Sequence, residues 1–99
     1  MTRVMKRKLD EMGRIIVPVD LREEFKFGTK EKFNLQCIGN EVFLRKMSEN
    51  QEDGYNDIQL DEMGRIRMPK ELLDALGWKP KDVIGIYIVD EFTIGFKAE

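Results

Sequence analysis

The chain contains no histidine, which removes histidine-based triads, imidazole general bases and imidazole metal ligands together. Cysteine is nearly absent too. Cys37 stands alone, so neither an intrachain disulfide nor a paired-cysteine zinc site can form, and a reducing compartment suits it. No apolar run approaches the length of a membrane span. The basic start, Met1 to Lys8, has no apolar stretch behind it, so no signal peptide, no membrane partner and a cytoplasmic location are expected. Neither GxGxxG nor a P-loop occurs. Carboxylates are plentiful but lie mostly among lysines and arginines, as on a solvated face. These gaps point away from an enzyme, and no cofactor or metal is expected.

What remains is a chain of 99 residues, 41% apolar and 36% charged, enough for one core with a well-solvated surface. The net charge of −2 argues against non-specific nucleic-acid binding. The halves differ, however. Residues 1–50 hold eleven Lys and Arg against eight Asp and Glu, or +3, and residues 51–99 hold six against eleven, or −5.

One seven-residue string, Leu-Asp-Glu-Met-Gly-Arg-Ile, occurs twice, at Leu9–Ile15 and at Leu60–Ile66. Chance does not place one heptad twice in so short a sequence, so the chain reads as two copies of one unit. At the same offset Pro18 answers to Pro69, Leu21 to Leu72, Phe25 to Leu76, Phe27 to Trp78, Phe33 to Ile84 and Leu35 to Ile86. The copies slip by one residue near Ile38–Glu41, where a hairpin turn tolerates an insertion.

Each unit is expected to form two short strands, a short helix and a two-strand hairpin. In Asp61-Glu62-Met63-Gly64 the acid can hold a turn backbone and glycine supplies positive φ. Pro69 to Gly77 reads as a helix of about two turns, proline at its first position and glycine past its end, with Leu72 and Leu76 on one buried face. Ile84–Ile88 and Phe92–Phe96 alternate around Asp90-Glu91, as Phe33–Cys37 and Val42–Leu44 do around Gly39-Asn40. Residues 5–46 are the first repeat, the polar, turn-rich stretch 47–56 an exposed linker, and residues 57–97 the second repeat. Units this small without metals or disulfides sit near the limit of independent folding, so the copies are expected to share one β-rich core.

The order Leu-Asp-Glu-Met-Gly-Arg-Ile, then Pro, a short helix and a hairpin resembles the AbrB/SpoVT family of bacterial transition-state regulators. MazE-type antitoxins share the fold. The resemblance covers nearly everything but the linker. It implies a mainly β fold with two short helices, a swapped-hairpin β-barrel that two tandem repeats would complete as a single-chain pseudo-dimer. It also implies a cytoplasmic, nucleoid-associated regulator of transcription bound to double-stranded DNA. Basic residues would touch DNA at the end of the first strand, at the turn and on the helix. Those places hold Arg7 and Lys8, Arg14, and Arg22 in the first copy, with Glu23 where a second helix arginine is common. In the second copy only Arg65 matches. Ile58, Gln59, Leu73 and Asp74 fill the other places, and Arg67 and Lys70 are further positives without family counterparts.

Each residue also has a plainer reading. Arg14 and Arg65 could bridge to Asp10 or Asp61 and simply hold the turn, and an arginine so oriented can still face DNA. Arg3, Lys6, Arg7 and Lys8 form an electrostatic footprint or a solvated arm. Arg22 lies one residue beyond the core position Leu21 and should face solvent or ligand. Phe27 and Trp78 read as core aromatics, Met12 and Met63 as packing residues ahead of flexible apolar contacts to a partner, and Cys37 as a small buried hydrophobe. The second functional class is a protein-interaction module, antitoxin-like or antagonist, with part of the DNA face lost. Self-association of pseudo-dimers and a protein partner both stay open. Because positives gather in the first copy, loss of Arg14 is expected to weaken DNA binding more than loss of Arg65.

Overall fold

The computed structural model describes residues 4–48 and 53–99. In chain order the elements are β1 (Met5–Lys8), β2 (Arg14–Ile16), α1 (Val19–Phe25), β3 (Phe33–Ile38), β4 (Glu41–Lys46), β5 (Tyr55–Ile58), β6 (Arg65–Arg67), α2 (Lys70–Leu76), β7 (Val83–Asp90) and β8 (Thr93–Ala98). Period-two alternation produces the central strands. Val42 and Leu44 of β4, Ile84 and Ile86 of β7, and Ile94 and Phe96 of β8 all point into the core. Their alternate neighbours Glu41, Phe43, Arg45 and Tyr87 stay partly exposed.

These strands form a six-stranded antiparallel sheet, ordered β1-β7-β8-β4-β3-β5. The order reads the same from either edge once β1–β4 are exchanged for β5–β8. Each edge strand pairs with the hairpin of the other half of the chain: Met5 faces Ile86 and Lys8 faces Val83, while Phe33 faces Ile58 and Leu35 faces Tyr55. A second sheet contains only β2 and β6. Ile15 and Ile66, equivalent in the two heptads, sit directly opposite each other and are fully buried. They join Leu21 and Leu72 from the helices, Phe27, Trp78 and the sheet's inner face in one core. Each such buried side chain contributes about 1.5–3 kcal/mol relative to exposure, which is what holds seven-residue helices that would melt alone in water.

The helices begin where the sequence places them, with one refinement. Pro18 and Pro69 are N-cap residues with extended backbone, one place before the first helical residue. Gly77 ends α2 in the left-handed region, as expected, whereas α1 ends on Lys26 at φ +57, a non-glycine residue in the same region.

Phe27 and Trp78 are core aromatics, and the Phe27 ring lies 4.7 Å from that of Phe33. Cys37 differs from expectation: it is exposed, because β3 runs past the core to the hairpin turn at Gly39. Met12 and Met63 also differ, being 54% and 63% exposed at the turn tips. Phe92 falls outside the strand expected for it; β8 starts at Thr93, and the Asp90 carboxylate accepts the Phe92 N–H at 2.8 Å in the turn. β5 begins at Tyr55, inside the stretch 47–56 read as linker, and residues 49–52 of that stretch lie outside the described residues, as does Arg3. Buried Asn34 ties the start of β5 down, donating from Nδ2 to the Asp53 carbonyl and to Asn56 Oδ1, both at 2.9 Å.

Candidate nucleic-acid interface

The repeated heptad folds the same way twice. Asp10 takes the first place of a tight turn, its carbonyl accepting the Gly13 N–H at 3.1 Å, and Gly13 sits at φ +77. The Asp10 carboxylate accepts the N–H groups of Met12 and Arg14 at 2.9 and 2.8 Å and Arg14 Nε at 2.7 Å. Asp61 repeats the set with Met63 N–H, Arg65 N–H and Arg65 Nε, at 2.9, 2.9 and 2.8 Å. Partial burial of each carboxylate acts to raise its pKa. The backbone N–H and guanidinium of the arginine, with the methionine N–H, outweigh that and hold both aspartates below the usual value. Both arginines are therefore fixed by their acids, and Nε is only one of a guanidinium's five N–H donors.

Pairing of β2 with β6 decides which charges meet. Arg14 faces Arg67, Ile15 faces Ile66, and Ile16 faces Arg65. Ile15 and Ile66 point inward, so Arg14, Ile16, Arg65 and Arg67 share the outward side of the ribbon. Like charges directly opposite are mutually repulsive. Arg65 Nη1 also comes within 3.9 Å of Asp10 Oδ2, which draws the two turns together. Arg67 Nε donates to the Met12 carbonyl at 3.2 Å, and among the described residues no carboxylate pairs with it. Arg14, Arg65 and Arg67 thus line one solvent-open face together with Asp61 and Gln59.

The turns are locked crosswise. The Val17 N–H donates to the Gly64 carbonyl and the Met68 N–H to the Gly13 carbonyl, at 2.9 and 2.8 Å. The same crossing places Arg22 on the turn of the other copy: its Nε donates to the Val17 carbonyl at 2.9 Å and its guanidinium lies over Gly64. Arg22 therefore accompanies Arg65, contrary to the expectation that positives of the first copy gather about Arg14. Leu73, its equivalent, lies over Gly13. Arg67 and Lys70 line a groove of about 630 Å³ with Met12, Gly13 and Leu73. Arg7 and Lys8 stand exposed on β1, which leads into the Asp10 turn, Arg7 donating from Nη1 to the Lys6 carbonyl at 2.8 Å. Lys6 pairs with Glu99 at 3.1 Å.

A mainly β chain of this sheet order is the class the fold defines. The solution structure of PHS018 from Pyrococcus horikoshii matches it with a TM-score of 0.54, over 97% of this chain and 87% of that one, at 18% identity, a likeness of fold alone. The chain belongs to the AbrB/MazE superfamily. It is 30% identical over 83 residues, 71% of this chain and 90% of its relative, to Abh of Bacillus subtilis (strain 168), named for an inferred role as a transition state regulator. Residues 59–94 match the family described as "Antidote-toxin recognition MazE, bacterial antitoxin".

Proposed function

We propose that this protein is a DNA-binding transcriptional regulator of AbrB type, built as a single-chain pseudo-dimer. Residues 5–46 and 57–97 form two tandem repeats that complete one swapped-hairpin barrel. The strand order, identical from both edges, and the reciprocal pairing of β2 with β6 support this reading. One observation carries the functional part: Arg14, Arg65 and Arg67 share the outward side of a two-stranded ribbon, with two of them fixed by aspartates. A pre-oriented guanidinium fork suits phosphate or a guanine edge and loses little rotamer freedom on binding. Arg22 beside the second turn, Lys70 beside the first, and Arg7 and Lys8 on the edge strand extend the basic surface. Net negative charge elsewhere opposes non-specific attachment.

Fluorescence anisotropy with genomic duplex fragments at several salt concentrations tests the proposal. With roughly four to six phosphates contacted, the slope of log K against log salt should be about −4 to −5. Undetectable or salt-independent binding would refute it.

A second reading has one observation in its favour, the match of residues 59–94 to a family described by toxin recognition. In that reading the barrel serves as an antitoxin-like interaction module. A co-purifying protein partner, with no duplex retained, would select it over the first.

A further inference from the structure

We infer that the arginine face engages duplex DNA in one fixed polarity, on a non-palindromic site, with Arg67 as the residue that sets the direction; the inference rests on the DNA-binding reading. A twofold-symmetric binder reads two equal half-sites, and operator palindromy mirrors that symmetry. Here the backbone is nearly symmetric and the chemistry is not. The two turns carry the same seven residues and the same hydrogen bonds. What surrounds them differs at three equivalent pairs. Arg14 is faced by Arg67, but Arg65 is faced by Ile16. Leu73 covers Gly13, but Arg22 covers Gly64. Exposed Lys70 opens α2, but exposed Val19 opens α1.

Arg67 matters most among these differences. Arg14 and Arg65 each spend Nε on an aspartate, whereas Arg67 makes its described contact to a backbone carbonyl. It is exposed, it opposes another arginine in register, and an anion or a guanine edge placed between the two would relieve their repulsion. Across the pseudo-twofold, Ile16 offers no donor and suits apolar contact, such as a thymine methyl. One end of the ribbon thus presents two arginines to hydrogen-bond acceptors, and the other presents Arg65 beside an apolar side chain. A duplex turned end for end would put the acceptor-rich step under Ile16 and leave Arg67 unpaired, so one orientation prevails.

Selection from a randomised duplex pool with wild-type protein, Arg67→Ile and Ile16→Arg tests this, with circular dichroism melts confirming that each is folded. Wild type should enrich a non-palindromic consensus. Arg67→Ile should bind that consensus roughly tenfold more weakly and lose base preference on one side of its centre only. Ile16→Arg, which gives both ends the same residue, should make the central positions of the consensus self-complementary. A palindromic wild-type consensus overturns the inference, as does Arg67→Ile leaving affinity and consensus unchanged. Enrichment of duplex without any base consensus overturns polarity while the DNA-binding reading stands. A folded wild-type protein that retains no duplex removes the reading on which the inference rests. If Ile16→Arg fails to fold, the exposed Arg67→Ile still decides.

Discussion

Replacing Gly64 with alanine should destabilise the protein more than the same change at Gly13, although both glycines occupy the same place in identical heptads. Their backbones agree, at φ +80 and +77. An alanine held in the left-handed region loses about 1–2 kcal/mol, offset by about 0.4–1 kcal/mol because alanine also restricts the unfolded chain. The backbone share is therefore about 0.5–1 kcal/mol at either site. The side-chain share differs. At Gly13 the new methyl group would meet Leu73 Cδ1 at 2.8 Å, the tip of a rotatable chain. At Gly64 it would fall on the Arg22 guanidinium and push Nε off the Val17 carbonyl. Losing that bond adds about 1 kcal/mol. Gly64→Ala should therefore lower stability by about 1.5–2 kcal/mol, a Tm drop on the order of 6–15 °C for a domain of this size, and Gly13→Ala by roughly half as much. Thermal unfolding followed by circular dichroism measures both. In an Arg22→Ala background the excess at Gly64 should vanish, since the partner it displaces is gone. If Gly13→Ala costs as much as Gly64→Ala, or the excess survives without Arg22, the crosswise packing described above is wrong.

Lys26→Gly should raise stability by about 0.5–1 kcal/mol, because a lysine now occupies the left-handed end of α1 that Gly77 occupies at α2; urea denaturation reads this directly. Acid should destabilise the fold through Asp10 and Asp61. Their folded pKa values lie below the unfolded value near 3.8, so the stabilisation is complete above that pH and drains away as pH falls below it. Melts at pH 7, 4 and 3 should show the loss confined to the acid end and reduced in the Asp10→Asn, Asp61→Asn double variant. Arg14→Ala and Arg65→Ala should weaken DNA binding by similar factors, within about threefold of each other, because Arg67 accompanies the first and Arg22 the second. A tenfold difference in anisotropy titrations would return the weight to the first copy alone.

Chemistry confined to a few neighbouring residues was legible in the sequence. An acid two to four places before its hydrogen-bond donors, with glycine at the one position of positive φ, announces the Asp10 and Asp61 turns without knowledge of the rest. Alternation announces β4 and β8, and the spacing of Leu72 and Leu76 announces α2. Burial at element ends was less legible. Cys37 keeps the inward phase of β3 yet emerges into solvent, since alternation says which way a side chain points and not how far the core extends. Asn34 gave no signal at all, because its partners, the Asp53 carbonyl and Asn56, come from a distant stretch.

Charge counted along the chain misled for the same reason. The totals of +3 and −5 assign the basic surface to the first copy. Antiparallel pairing of β2 with β6 then sets residue 14 against residue 67 and residue 16 against residue 65, so each end of the ribbon draws on both copies. Arg67, from the acidic half, stands beside Arg14. Arg22, from the basic half, lies on the turn that carries Arg65. Within one chain the residues flanking the two heptads need not match, so the two ends of the face can differ while the turns that orient Arg14 and Arg65 stay identical. A homodimer cannot do this, since any substitution there appears at both ends. The pairing register, which no local pattern encodes, is therefore what brings basic residues from both halves of the sequence to each end of the ribbon.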